Sequence, residues 1–172
     1  MEYISTRNKK KTFSFKDVFL KGLADDGGLF VPKDIPKYNK NEIKSLKKLS
    51  YNELAANIIL KFCNEEFNEK EIKELVKNSY KDFRVKDVVK IQKLGNINLL
   101  ELFHGPTLAF KDIAMQVIGN MYEKILKKNN LKINIIVATS GDTGAAAINA
   151  IKDRNNMKIF ILHPENKISE VQ

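Results

Sequence analysis

Two apolar runs near the end of the chain, Ile133–Thr139 (INIIVAT) and Met157–Leu162 (MKIFIL), constrain its fold more than any other feature. Each has the length of a strand and is almost continuously apolar, the pattern of a strand buried in a parallel sheet. Parallel neighbours need a crossover, and the intervening residues supply one: a glycine-bearing turn and then a helical stretch from about Thr143 to Arg154. Another helical stretch, from about Thr107 to Lys128, precedes the first run. Before it, Val88–Phe103 reads as a β-hairpin around the two-residue turn Gly95-Asn96. Strand, helix, strand, helix, strand is the order of a doubly wound α/β sheet.

The period changes at Val88, and residues 1–87 read as a separate, mainly helical region, with 88–172 as the first part of the α/β domain. Three helix starts are visible in the first region: Ser14 with Asp17, Ser50 with Glu53, and Asn68 with Glu71. Each sets a capping oxygen three residues before a carboxylate and ahead of apolar positions at helical spacing. Between the first two, DDGGLFVP turns at Gly27-Gly28 and halts regular structure at Pro32. At the far end, Ser169 and Gln172 have the spacing of another capping box, with no helix after it. A parallel sheet of so few strands also leaves an edge open. The expectation is an α/β sheet truncated at its C-terminus, the N-terminal piece of a longer protein.

Thirty Lys and Arg against 21 Asp and Glu give a net charge of +9, which raises the question of an acidic partner. The lysines are scattered through every segment, the run Lys9-Lys10-Lys11 is short and lacks arginine, and no aromatic ladder accompanies it. No nucleic-acid partner is therefore expected. A single cysteine, Cys63, excludes an internal disulfide and a cysteine-based zinc site, suits a reducing compartment, and reads as a core residue. No metal site is read. The N-terminus lacks an apolar leader and no apolar run approaches ~18 residues, so no membrane partner is expected and the cytoplasm is the expected location.

Chemistry concentrates in two stretches. In HGPTLAFKD, His104–Asp112, the helical neighbours of Lys111 are Thr107, Leu108, Ala114 and Met115, none of them acidic, and Asp112 points away around the helix. Desolvation on that face and a nearby helix N-terminus both favour the neutral amine that carbonyl attack and Schiff-base formation require. The plain alternative is a lysine snorkelling from the edge of an apolar face. His104, before Gly-Pro at a strand end, reads as a structural hydrogen-bonder before a general base.

The second stretch, TSGDTGAAA, Thr139–Ala147, follows the first apolar run and opens a helix. Gly141 and Gly144 let backbone N–H groups turn toward an anion at that helix N-terminus, and the alanines allow close packing on the sheet. It is neither a P-loop nor a dinucleotide fingerprint, since no lysine follows Gly144 and G-x-x-G falls short of G-x-G-x-x-G. Asp142 disfavours a bare phosphate and leaves a carboxylate-sized anion easier to place. An ordinary tight strand-to-helix turn is the alternative.

LELFHGPTLAFKD, with TSGDTGAA some thirty residues on, resembles the threonine synthases, fold-type II pyridoxal-phosphate enzymes; YISTR, GLADDGGLFVP and HPENKISEVQ support the likeness from end to end of the chain. The resemblance implies pyridoxal 5'-phosphate as cofactor, carried by Lys111, in a three-layer α/β domain beside the helical region. It implies that Ser140, Gly141, Asp142, Thr143 and Gly144 hold the amino-acid substrate, through its α-carboxylate. Asp142 also takes the place of a residue that approaches the cofactor ring oxygen, and Phe110 walls the pocket. Thr6 and Arg7 are candidates to face the substrate phosphate. The implied reaction turns O-phospho-L-homoserine and water into L-threonine and phosphate. The cofactor-phosphate loop and the partner of the pyridine nitrogen are implied to lie beyond residue 172, so the chain alone is expected to be inactive and to self-associate through its uncovered surface. The alternatives are another fold-type II lyase, a threonine-synthase-like phospholyase acting on a different phosphorylated amino acid, a basic binding module, and a noncatalytic fragment.

Overall fold

The structure, a computed structural model, describes residues 1–167; the capping box expected at Ser169 and Gln172 lies outside them. The chain divides into two compact units, at Val76 and Lys77, ahead of the change of period at Val88.

The first unit holds strands β1 (Tyr3–Ser5) and β2 (Thr12–Phe13), helix α1 (Phe15–Lys21), strand β3 (Phe30–Pro32), and helices α2 (Lys40–Leu46) and α3 (Tyr51–Cys63). Helix α4 (Glu69–Tyr80) begins in it. The three expected starts are all there: Ser14 caps α1, Ser50 and Glu53 form a reciprocal box on α3, and Asn68 and Glu71 exchange backbone bonds of 2.9 Å ahead of α4. A fourth box, Asn39 with Glu42, starts α2. The small antiparallel sheet, in the order β2-β1-β3, was not legible, because strands of two or three residues show no period.

Gly27, at φ 74, makes the turn before β3. A Cβ on Gly28 would lie 2.3 Å from Ser5 Oγ, so only glycine lets the turn close onto β1. Asp26 secures it by accepting from Ser5 Oγ and Gly28 N, each at 2.8 Å, and these bonds hold its carboxyl below the usual range. Thr6 Oγ1 accepts from Leu29 N, and Arg7 donates to Asp26 O at 3.0 Å. Both residues proposed for a phosphate thus brace this turn. Phe15 joins the core between Phe19 and Phe67, with ring centroids 5.2 and 6.2 Å away, and Cys63 is fully buried as expected.

The second unit begins at Lys77 and carries the hairpin β4 (Lys90–Leu94) and β5 (Ile97–Glu101), helix α5 (Asp112–Lys128), strand β6 (Ile133–Ala138), helix α6 (Asp142–Ile151) and strand β7 (Met157–Leu162). The hairpin turns at Gly95, φ 60, with Leu94 opposite Ile97. β6 and β7 pair in parallel, from Ile133↔Met157 to Ala138↔Leu162. The class is α/β, as expected, with two differences of detail. The hairpin is a sheet of its own, so among the described residues the parallel crossover is confined to β6-α6-β7. And β6 and β7 alternate in burial: Ile136, Phe160 and Leu162 are exposed on one face, while Ile135, Val137, Ile159 and Ile161 are shielded on the other.

Helices α5 and α6 pack closely and run in the same direction. Gln116 Nε2 donates to Asn149 Oδ1 at 2.8 Å; Arg154 donates to Asn120 Oδ1 and pairs with Glu123. Partners thus advance together, from Gln116 with Asn149 to Asn120 and Glu123 with Arg154, which lies just past the end of α6. Gly119 sits where a Cβ would come 2.6 Å from Ala150 O, so the approach depends on its missing side chain.

Candidate active site

That shared direction sets two N-termini at one end of the helix pair. Lys111, the N-cap residue of α5, precedes Gln116 by about 8 Å of helix rise, and Asp142, which opens α6, precedes Asn149 by about 10 Å. The two stretches singled out from sequence therefore meet the same end of α5 and α6.

Lys111 is not inside a helix, as its spacing from Thr107 suggested. Residues 107–111 form turns, and α5 starts only at Asp112. Leu108 is the reason: at φ 63 it is left-handed and cannot continue a right-handed helix. The expected contacts with Leu108 and Thr107 across a helix face are therefore not made by helical geometry. Lys111 is half-buried, its Nζ lies 4.9 Å from the centroid of the exposed Phe110 ring, and among the described residues it makes no ion pair. Its carbonyl accepts from Ala114 N and Met115 N, which fixes its backbone to the first turn.

Asp112 was passed over as a neighbour pointing elsewhere. It is fully buried, and its carboxylate reaches back to Thr107, taking the backbone N–H on Oδ2 and the hydroxyl on Oδ1, each at 2.8 Å. Gly105 leaves room for it: a Cβ there would sit 2.4 Å from Asp112 Oδ2. The available signal was an acidic residue in the first turn, five positions after a threonine. His104 is held by Glu101, with Nε2 2.8 Å from Oε2, while its carbonyl accepts from Arg84 N. This is the structural role read for it.

At the second N-terminus, Thr139 N donates to Leu162 O at 2.9 Å and prolongs the strand pairing, and Gly141 N donates to Thr139 Oγ1. Gly141 occupies the N-cap and offers no side-chain cap. Ser140 and Asp142 are exposed and Thr143 half-buried. Gly144 turns inward: its N–H goes to Gly141 O, and a Cβ would stand 2.6 Å from Thr139 Cγ2, so it serves the packing of helix on sheet. A cleft of about 300 Å³ opens beside this turn, lined by Thr139, Gly141, Ala145, Ile148 and His163. His163 had not been singled out.

Chemically, the arrangement offers an amine with no ion pair among the described residues at one helix N-terminus and, at the same end of the helix pair, a helix N-terminus without a side-chain cap, suited to a small anion. No helix of the described residues is long and apolar enough to cross a membrane, and among them no three His, Cys, Asp or Glu side chains gather as a metal site.

Comparison with known proteins adds the following. The profile of the family described as "Threonine synthase N terminus" matches residues 2–80. The chain is 44% identical over its whole length to the threonine synthase of Pseudomonas aeruginosa, covering 37% of it, and 41% identical to that of Schizosaccharomyces pombe, covering 35%. It is 38% identical to the threonine synthase-like 2 protein of Xenopus laevis, again over all of this chain and 37% of that one. Among solved structures, it superposes on PLP-bound threonine synthase from Brucella melitensis with a TM-score of 0.93 and 41% identity, over 99% of this chain and 37% of the other. The chain thus spans little more than a third of the length of these relatives.

Proposed function

Because the chain belongs to the threonine synthase family, we propose that it carries the lysine and the substrate-binding turn of an enzyme that converts O-phospho-L-homoserine and water to L-threonine and phosphate. The observation that carries this reading is the convergence of Lys111 and the Ser140–Gly144 turn at one end of the parallel-running α5 and α6. The residues present suit pyridoxal 5'-phosphate: Lys111 is half-buried, with no ion pair among the described residues to occupy its amine, and Phe110 lies against it as one wall. That cofactor, when bound, supplies an electron sink for carbanion chemistry at the substrate.

The chain's own residues divide the remaining work. Lys111 Nζ would hold the cofactor aldehyde, and its amine, when free, would move protons at the substrate Cα and Cβ. Backbone N–H groups at the α6 N-terminus, with the Ser140 and Thr143 hydroxyls, would orient the substrate α-carboxylate, and Asp142 would face the cofactor ring. The turn selects an anion of one charge over a dianion because Asp142 stands in it. The cytoplasm is the proposed location.

Of the eight glycines, Gly22 ends α1, Gly27, Gly28 and Gly95 serve turns, Gly105 and Gly119 admit close neighbours, and Gly141 and Gly144 belong to the substrate turn, which leaves none for a phosphate cradle; we propose that residues 1–172 alone are catalytically silent. The test uses a protein of the family's full length that carries this sequence. Borohydride should trap pyridoxal phosphate on Lys111, and Lys111→Ala should abolish both the trapped adduct and phosphate release. Lys111→Arg should fail as well, since a guanidinium does not give up its proton to form the imine. An adduct surviving in Lys111→Ala would assign the role to another lysine. A second reading keeps the family and changes the substrate: a phospholyase for another phosphorylated amino acid. Turnover of O-phospho-L-homoserine decides between the two.

A further inference from the structure

The geometry points to Asp112 as a positioning residue for Lys111, an inference that rests on the proposed role of that lysine. A carboxylate with no accessible surface is costly unless its oxygens are satisfied, and both oxygens of Asp112 are engaged by a single residue, Thr107, through its N–H and its hydroxyl. The two bonds close a clamp over residues 107–112. Inside the clamp Leu108 is held at φ 63, a conformation that a branched L-residue keeps only where its surroundings impose it. Leu108 N donates to Gly105 O and Asp112 N to Ala109 O, so the loop is pinned at both ends by its own backbone as well.

Every one of these constraints precedes or adjoins Lys111, and none engages its side chain. The clamp instead decides where the helix begins. With it closed, α5 starts at Asp112 and Lys111 is the N-cap residue; with it open, the left-handed residue relaxes and an extra helical turn can form back toward Thr107, rotating the amine away. Gly105 shows how tightly the position is specified, since even a methyl group there would collide with the Asp112 carboxylate. Asp112 therefore acts on the chemistry only through the direction in which Lys111 is presented.

Hydrogen bonding and charge make different predictions here. In Asp112→Asn, the amide oxygen can still accept from Thr107 N, while its NH2 donates to Thr107 Oγ1, so the clamp survives without the charge. In Asp112→Ala both bonds are lost.

The experiment traps pyridoxal phosphate with borohydride in a family-length protein and maps the modified lysines by peptide mass. In the parent, the adduct concentrates at Lys111; if it does not, the functional reading fails before this inference is reached. Asp112→Ala should lower the Lys111 adduct at least tenfold relative to the surface lysines, with circular dichroism unchanged, and Asp112→Asn should restore it to within about threefold of the parent. An Ala variant that labels like the parent, or an Asn variant as poor as Ala, overturns the proposal. Should Asp112→Ala fail to fold, Thr107→Val carries the test, since it removes one bond and leaves the carboxylate. Its Lys111 adduct should fall severalfold, and an undiminished adduct overturns the proposal.

Discussion

Ser140 and Thr143 carry the hydroxyls of the 140–144 turn that opens α6, while the hydroxyl of Thr139, just before it, accepts from Gly141 N. If they orient the substrate carboxylate, Ser140→Ala or Thr143→Val should weaken transition-state binding by roughly 1–3 kcal/mol for each lost bond to a charged group. Cofactor uptake should stay near the parent's, because the turn is assigned to substrate. Titration of both ligands checks this, and loss of pyridoxal phosphate from these variants reverses the assignment. Cys63 makes a prediction of a different kind. Burial pushes its thiol from an ordinary value of 9.0 up to about 12. Between those values the unfolded chain gives up the proton and the folded chain keeps it, so this group's contribution is intact below pH 9 and is lost as pH rises toward 12. Tyr3, raised to about 12 mainly by burial, acts in the same direction. Urea midpoints should therefore fall steadily above pH 9, and Cys63→Ala should flatten part of that fall. Lys111 and the 140–144 turn were legible because their neighbours are chemically unusual for a helix face and a strand end. Asp112 was not, since a buried carboxylate in a first turn looks the same in sequence as a solvated one.

At the level of the elements, the close seam between α5 and α6 is the joint on which the site depends. Gly119→Ala would place a methyl group 2.6 Å from Ala150 O, which is rigid backbone, so the helices must part. The expected cost is roughly 1–3 kcal/mol, as for other overpacked contacts, offset in small part by alanine's better helix propensity. Thermal melts would show it, and an unchanged midpoint would mean that the seam is looser than described. The long elements were readable: β7 coincides with its apolar run, and the caps of α1, α3 and α4 announced themselves through Ser14, Ser50 and Asn68. The start of α5 was misplaced because Leu108 has excellent helical credentials locally, and only the surrounding clamp forces it left-handed. β6 was read as buried on both faces because its composition is that of a central strand. Composition alone does not say what covers each face.

For the molecule as a whole, two groups of exposed apolar side chains in the second unit matter most: Ile136, Phe160 and Leu162 on the bare face of the parallel pair, and Ile91, Leu94, Ile97 and Leu100 on the hairpin. Patches of this kind associate in water, so residues 1–172 alone should self-associate, a second copy covering the bare face of β6 and β7. Light scattering at micromolar concentration checks it, and a stable monomer sinks it; no phosphate release is expected from that preparation. The division at Val76 has a consequence in time. The first unit's sheet closes within 32 residues and its caps are local, so these contacts need nothing that a ribosome has yet to make. At ~5–20 residues per second, the roughly 60 residues between clearing the exit tunnel and residue 172 leave that unit roughly 3–12 s to fold. An arrested chain ending near residue 110, long enough to bring the first 76 residues clear of the exit tunnel, should already resist a protease over that segment.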